Sequence, residues 1–220
     1  MIAKYGLDNF LGIVAIGLIL IIVAFYFKSQ LLVLLPLIFI GLFLIATAIW
    51  FFRDPHREIP VEAIKDSHII LSPADGKITE IVQDFEPHFL HSPTIRISIF
   101  LSPLDVHINR VPTNGTIKYF NFIEGKKLVA SKTEASTENQ QTIFGLENEF
   151  GKIVFKQIVG ILARRLVWEI EPGDKVSAGQ KFGMMKFGSR MDIHLPLNTQ
   201  ILVKVGAKVT AGTTYLARLQ

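Results

Sequence analysis

Two stretches near the N-terminus differ in pattern from everything that follows them. Leu11–Phe27 is a run of 17 uncharged, mostly aliphatic residues and Leu31–Phe52 is a run of 22, with Lys28 the single charge between Leu11 and Phe52. At a helical rise of 1.5 Å per residue they reach roughly 25 and 33 Å, each enough to cross a bilayer core. Only Lys28, Ser29 and Gln30 separate them, so the second run must return antiparallel to the first, which predicts a transmembrane helical hairpin. Pro36 lies inside the second run and is a candidate kink. Neither run has the short apolar core and small-residue cleavage site of a signal peptide, so a retained anchor is expected.

From Arg53 onward the period changes. Short β-rich runs, among them Ile69–Leu71, Ile95–Phe100, Lys152–Val159, Arg165–Ile170 and Gln200–Val205, are punctuated by Pro, Gly, Asn and Asp. No segment after Phe52 keeps a 3.6-residue apolar period long enough for a sustained helix. Two internal echoes sharpen the picture. Ser72-Pro73-Ala74-Asp75-Gly76-Lys77-Ile78 parallels Val111-Pro112-Thr113-Asn114-Gly115-Thr116-Ile117, and Gly173-Asp174-Lys175-Val176-Ser177-Ala178-Gly179 parallels Gly206-Ala207-Lys208-Val209-Thr210-Ala211-Gly212. The second pair resembles the turns of biotinyl and lipoyl carrier domains. The expected fold is therefore mainly β, a barrel-sandwich-like domain over residues 53–220 behind an anchoring hairpin over residues 1–52.

Charge and composition narrow the function. The formal charge of +4 is mild and unclustered, which suits an anionic lipid surface and argues against nucleic acid as a partner. Lys4 precedes the hairpin and Arg53, His56 and Arg57 follow it, against Lys28 alone in the turn, so the positive-inside rule places both ends in the cytoplasm. The expected location is the cell membrane, with the β domain on its cytoplasmic face. With no cysteine there is no disulfide, thiolate nucleophile or Cys-ligated zinc, and no metal is expected. Gly125–Gln141, rich in Lys, Glu, Ser, Thr, Asn and Gln, reads as a solvated loop or as a lid near the site.

Four places could carry chemistry. Gly188-Ser189 follows the apolar run Phe182–Met185, and taken alone it is a turn or bulge. Pro73-Ala74-Asp75-Gly76 is by itself good turn chemistry. In Leu101–Pro112, Asp105, His107 and Asn109 alternate, which on a strand puts a carboxylate, an imidazole and an amide on one face of an otherwise apolar region. Arg53-Asp54-Pro55-His56-Arg57 is a juxtamembrane charge cluster.

Taken together and in this order, from Trp50-Phe51-Phe52-Arg53-Asp54-Pro55 through Pro73–Gly76 and Leu101–Pro112 to Gly188-Ser189, the four places resemble the phosphatidylserine decarboxylase family. The likeness is to its short form, which includes the archaetidylserine decarboxylases. The resemblance implies a proenzyme that cuts itself between Gly188 and Ser189 into a β chain, 1–188, and an α chain, 189–220. That β/α heterodimer could assemble further. Ser189 becomes a pyruvoyl group, the cofactor that forms a Schiff base with phosphatidylserine or a related phosphoserine lipid. Self-cleavage needs a Ser189 hydroxyl to attack an unhindered Gly188 carbonyl, and turnover needs a proton donor, for which His107 is suited by an ordinary pKa near 6.5. In the long form a second His, three residues after the one matching His107, is the base of an Asp-His-Ser triad. Arg110 stands there in this chain and cannot serve as a base. His107 is then left to double as base with Asp75 orienting it, or Asp75 acts more directly. Arg53, Arg57 and Arg190 are the candidates for the lipid phosphate.

Two other classes stay in view. A biotinyl- or lipoyl-type carrier would place a modified Lys at an exposed hairpin tip, and Met184-Met185-Lys186 fits that loosely. A purely structural β domain would make every polar residue above a turn or surface residue.

Overall fold

A computed structural model describes residues 1–126, 128–129, 134–160, 165–186 and 189–220. The chain forms two compact units, Met1–Pro55 and His56–Gln220. In the first, α1 (Leu7–Tyr26) and α2 (Leu31–Phe51) are both long and apolar enough to cross a membrane. The turn between them returns α2 along α1, and small residues set how closely they approach. Gly17 and Ala24 of α1 and Gly41 and Ala48 of α2 are buried small residues, each pair seven residues apart on one helix face. A Cβ on Gly17 would come within 2.8 Å of the Gly41 carbonyl oxygen, and one on Gly41 within 2.6 Å of the Gly17 carbonyl oxygen. Pro36 is accommodated within α2.

The second unit is mainly β, with two helices of one turn, α3 (Val61–Lys65) and α4 (Ala135–Glu138), among the described residues. Its strands in chain order are β1 (Ile69–Leu71), β2 (Gly76–Glu86), β3 (Ser92–Leu101), β4 (Ile108–Arg110), β5 (Gly115–Ile123), β6 (Gln141–Asn148) and β7 (Gly151–Val159). They continue with β8 (Arg165–Trp168), β9 (Lys175–Val176), β10 (Lys181–Lys186), β11 (Ser189–Pro196), β12 (Gln200–Ile201), β13 (Lys208–Val209) and β14 (Tyr215–Arg218). A curled eight-stranded sheet runs β13-β2-β3-β11-β7-β6-β5-β9, and two three-stranded sheets run β4-β10-β8 and β1-β14-β12. The pairings between these strands are antiparallel among the described residues, and one apolar core is shared by the three sheets.

The internal echoes are a structural duplication. Val209 and Lys208 of β13 pair with Gly76 and Lys77 of β2, while Val176 and Lys175 of β9 pair with Gly115 and Thr116 of β5. Gly179 and Gly212 share φ of +75°, a left-handed turn position that favours glycine. Their N–H groups donate to the carbonyls of Val111 and Ser72, which are themselves equivalent positions. Asn114 Oδ1 accepts from the Ala178 N–H as Asp75 Oδ1 accepts from the Ala211 N–H. Each half puts its module on one edge of the large sheet, so β3, β11 and β7 become the centre.

Those central strands are buried on both faces. One face carries Ile97, Ile99 and Leu101 of β3, Met191, Ile193 and Leu195 of β11, and Phe155 of β7, all in the core. The other carries Arg96, Ser98, Arg190, Asp192, His194 and Lys156, all buried as well. Charge pairing makes that burial tolerable. Arg190 donates to Asp192 (2.7 Å), Glu80 (2.8 Å) and Ser98 (2.6 Å), and Arg96 donates to Asp84 (2.7 Å) and Glu80 (2.9 Å). Ser136, on α4, donates to Asp192 at 2.6 Å and so closes the polar face. Burial alone would raise the Asp192 carboxyl, but Arg190, Arg96 and the hydrogen bonds from Arg190 and Ser136 hold it below its ordinary value.

Candidate active site

Ser189 opens β11, flanked by Leu101 of β3 and Val159 of β7. In antiparallel register its side chain shares the core face with Met191 and Ile193. It is fully buried, and among the described residues its hydroxyl has no hydrogen-bond partner. An unsatisfied buried hydroxyl costs on the order of 1–3 kcal/mol, so its position calls for a reason. Gly188, the other half of the proposed cut site, lies outside the described residues.

His107 is brought to the same end of the molecule by β4. Its carbonyl accepts from the Met185 N–H near the end of β10, whose last described residue is Lys186. The ring is fully buried and its Nδ1 lies 2.9 Å from the carbonyl oxygen of Asp105. A carbonyl only accepts, so Nδ1 must carry the proton, and the neutral ring then has its lone pair on Nε2. The Asp105 carboxylate holds the turn that aims this carbonyl: its Oδ2 accepts from the Ser102 N–H, and its own N–H donates to the Ser102 carbonyl. Orientation at Nδ1 therefore comes from a backbone group rather than from Asp75.

Asp75 is tied down elsewhere. Its Oδ1 accepts from Ala211 N–H (2.8 Å) and its Oδ2 from Arg57 Nη2 (2.7 Å). The first bond is the turn contact that Asn114 makes in the duplicate half, so an amide suffices for it. Arg57 is what the negative charge at position 75 adds. Arg110 donates through Nη1 to the Gly179 carbonyl at 2.7 Å. Arg190, a candidate for the lipid phosphate, is wholly buried among Glu80, Asp192 and Ser98, which commits its guanidinium to the protein's own acceptors.

Burial argues against the carrier alternative. Lys186 ends β10 with its side chain buried, whereas a carrier lysine must project from a hairpin tip. The polar side chains that alternate along β3 and β11 belong to strands covered on both sides. That polar face also borders a cavity of about 270 Å³, lined in part by Asp84, His88, Arg96, Lys156 and His194. Ser189 belongs to the opposite face, so this cavity is not the site of the cut.

Sequence reasoning missed Gln157 and Thr142. They sit on the Ser189 side of the large sheet, Gln157 opposite Met191 and Thr142 opposite Gln157. Thr142 Oγ1 donates to Gln157 Oε1 (2.8 Å), and Gln157 Nε2 donates across the core to Asn109 Oδ1 (2.8 Å). A Gln and a Thr inside otherwise apolar strands were the available signal.

Comparison with known proteins identifies the framework that holds these residues. The family model described as phosphatidylserine decarboxylase matches residues 44–217. A phosphatidylserine decarboxylase proenzyme of Salinibacter ruber is 46% identical over 176 residues, 80% of this chain and 77% of that protein. Proenzymes of the same name from Carboxydothermus hydrogenoformans (38% identical, 97% of this chain and 95% of that protein) and Prosthecochloris aestuarii (37%, 100% and 98%) match nearly end to end. The chain, matched over both its hairpin and its β domain, belongs to the phosphatidylserine decarboxylase family.

Proposed function

We propose that this chain is a proenzyme that cuts itself between Gly188 and Ser189 and then converts phosphatidylserine to phosphatidylethanolamine and carbon dioxide. The observation that carries the reading is the buried, unpartnered Ser189 hydroxyl on the core face of β11, in a chain whose relatives are named proenzymes. In self-cleavage the Ser189 Oγ attacks the carbonyl carbon of Gly188, and His107 Nε2 takes the hydroxyl proton. The C–N bond then breaks with proton return to the amine, leaving an ester. Loss of the Ser189 Cα proton expels that ester as the carboxylate of the first chain, and hydrolysis of the remaining enamine releases ammonia.

A hydroxyl with no hydrogen-bond partner among the described residues fits conversion to a pyruvoyl group, because its loss strands none of them. When formed, that group supplies the electron sink that decarboxylation of an amino acid headgroup requires. The chain's own residues do the rest. Burial of Ser189 and His107 keeps water from the reacting groups, and His107, held by Asp105, delivers the proton that the product carbon takes as carbon dioxide departs. Asp75, through Arg57, is the charged pair proposed to support this end of the domain.

The hairpin fits a substrate that stays in a bilayer, since an anchored enzyme searches for it in two dimensions. Lys4, Arg53, His56 and Arg57 favour a cytoplasmic location for both ends. The test is turnover on phosphatidylserine vesicles, followed by mass spectrometry of the lipids. Purified protein should produce phosphatidylethanolamine, and Ser189→Ala should produce none. Turnover by Ser189→Ala would place the chemistry at another residue.

A further inference from the structure

The chain Thr142–Gln157–Asn109 ends on a donor with nowhere to go. Asn109 is fully buried, and among the described residues its Nδ2 has no hydrogen-bond partner. The direction of its amide is fixed by the rest of the chain. Gln157 Nε2 also lies 3.3 Å from the Val167 carbonyl oxygen, which can only accept, and Gln157 Oε1 accepts from Thr142. Gln157 therefore presents N–H toward Asn109, Asn109 must answer with Oδ1, and its Nδ2 faces away from the chain. Gly183 leaves room for this arrangement, since a Cβ there would stand 3.1 Å from Gln157 Nε2.

The surroundings of that donor are the groups already assigned to the chemistry. Asn109 lies on β4 two residues after His107, and the Met185 N–H to His107 carbonyl bond continues the β4–β10 pairing back to His107, which favours one face for the two side chains. Gln157 pairs with Met191 and Val159 with Ser189, which makes Gln157 the diagonal same-face neighbour of Ser189, at roughly 7–8 Å between backbones. Among the described residues, two buried polar groups, the Ser189 hydroxyl and the Asn109 amide donor, are thus left unsatisfied on either side of Gln157.

We propose that Asn109 Nδ2 donates a hydrogen bond to the oxygen that becomes negative when Ser189 Oγ attacks the peptide bond before it. The proposal rests on the self-cleavage reading above. In this step the Oγ–C bond forms, the carbonyl π pair moves to oxygen, and the hydroxyl proton goes to His107. The amide donor offsets the charge on oxygen until the C–N bond breaks, and Gln157 is the positioning residue that keeps it aimed. A preorganised donor in a dry interior needs no reorganisation at the moment of reaction.

The experiment follows cleavage of newly synthesised chain in detergent over time, by gel and intact mass. Asn109→Ala should cut about 10²–10³-fold more slowly, the usual effect of losing one such donor. Hydroxylamine, which splits esters but spares peptide bonds, should not restore cutting, because the block precedes the ester. Thr142→Val, which removes one anchor of Gln157 but leaves its contact with the Val167 carbonyl, should slow the cut by much less than Asn109→Ala. Should Asn109→Ala fail to fold, Gln157→Leu carries the test and should also slow the cut. Normal cutting by folded Asn109→Ala, with Ser189→Ala still uncut, overturns the donor role alone. Equal slowing by Thr142→Val, or rescue by hydroxylamine, overturns it too. An active wild-type chain that is never cut would overturn the self-cleavage reading itself.

Discussion

Lowering the pH should unfasten the polar face of the central sheet before its carboxylates titrate, and His194 should be the group responsible. His194 is almost wholly buried on β11. Burial first, and then Lys156, push its pKa down from 6.5 to about 4, against smaller upward pulls from Asp192 and Glu86, with Arg96 also lowering it. Thr94 spends its hydroxyl proton on the Asp84 carbonyl, so His194 Nδ1 must donate to Thr94 Oγ1 at 3.0 Å, and the ring is held neutral. A depressed folded value gives stability that is fully present above pH 6.5. As the pH falls toward 4 the unfolded chain binds a proton that the folded chain refuses, and the contribution is lost. At about 1.36 kcal/mol per pH unit, that interval is worth roughly 3 kcal/mol. Asp192 and Glu86 are held below their ordinary values of 3.8 and 4.5, so most of their own losses fall at and below those values, later than that of His194. The assay is urea unfolding of the uncut Ser189→Ala chain in detergent, a single polypeptide, at intervals from pH 7.5 to 4.5. His194→Asn, whose amide can still donate to Thr94, should remove most of the slope. Parallel losses in the two proteins would refute the reasoning.

Three further outcomes are expected. His107→Asn keeps a donor for the Asp105 carbonyl but has no base, so it should fold normally and cut about 10²–10⁴-fold more slowly in a time course of synthesis; cutting at the normal rate would remove His107 from self-cleavage. Asp75→Asn should preserve the Ala211 turn, as Asn114 does for Ala178, and lose the Arg57 pair at a cost of about 1 kcal/mol in thermal unfolding. If Asp75 supports the reaction, cleavage should slow by more than that stability loss explains. A tag before Met1 and a reporter after Gln220 should be reached by protease from the same side of sealed vesicles, and opposite sides would mean that only one apolar run spans.

Much of the fold was legible because it rests on local chemistry. The hairpin follows from two uncharged runs and a three-residue turn, and the glycines at 17 and 41 explain its close packing. The duplicated turns could be read from Gly, Lys-Val and Ala-Gly spacing, since left-handed φ values select those residues. What escaped is non-local. Ile97 and Ile99 alternating with Arg96 and Ser98 look the same whether the polar face meets water or Glu80, Asp84 and Asp192 from other strands. At the candidate site, Ser189, His107 and Asp75 stood out through their motifs. The group that sets the His107 tautomer did not, because it is the backbone carbonyl of Asp105 and every residue has one. Gln157 and Thr142 were missed for a related reason: their meaning lies in a contact with Asn109, which is 48 residues from Gln157 in sequence.

The most direct measurement is the intact mass of purified protein, taken beside its decarboxylase activity. The account expects active wild-type protein to resolve into two chains of about 21 and 3.5 kDa, from a 24.7 kDa polypeptide scaled by length. The smaller should begin with a blocked terminus at position 189, and Ser189→Ala should remain one inactive chain. Active wild-type protein that stays a single uncut chain of 24.7 kDa would contradict it.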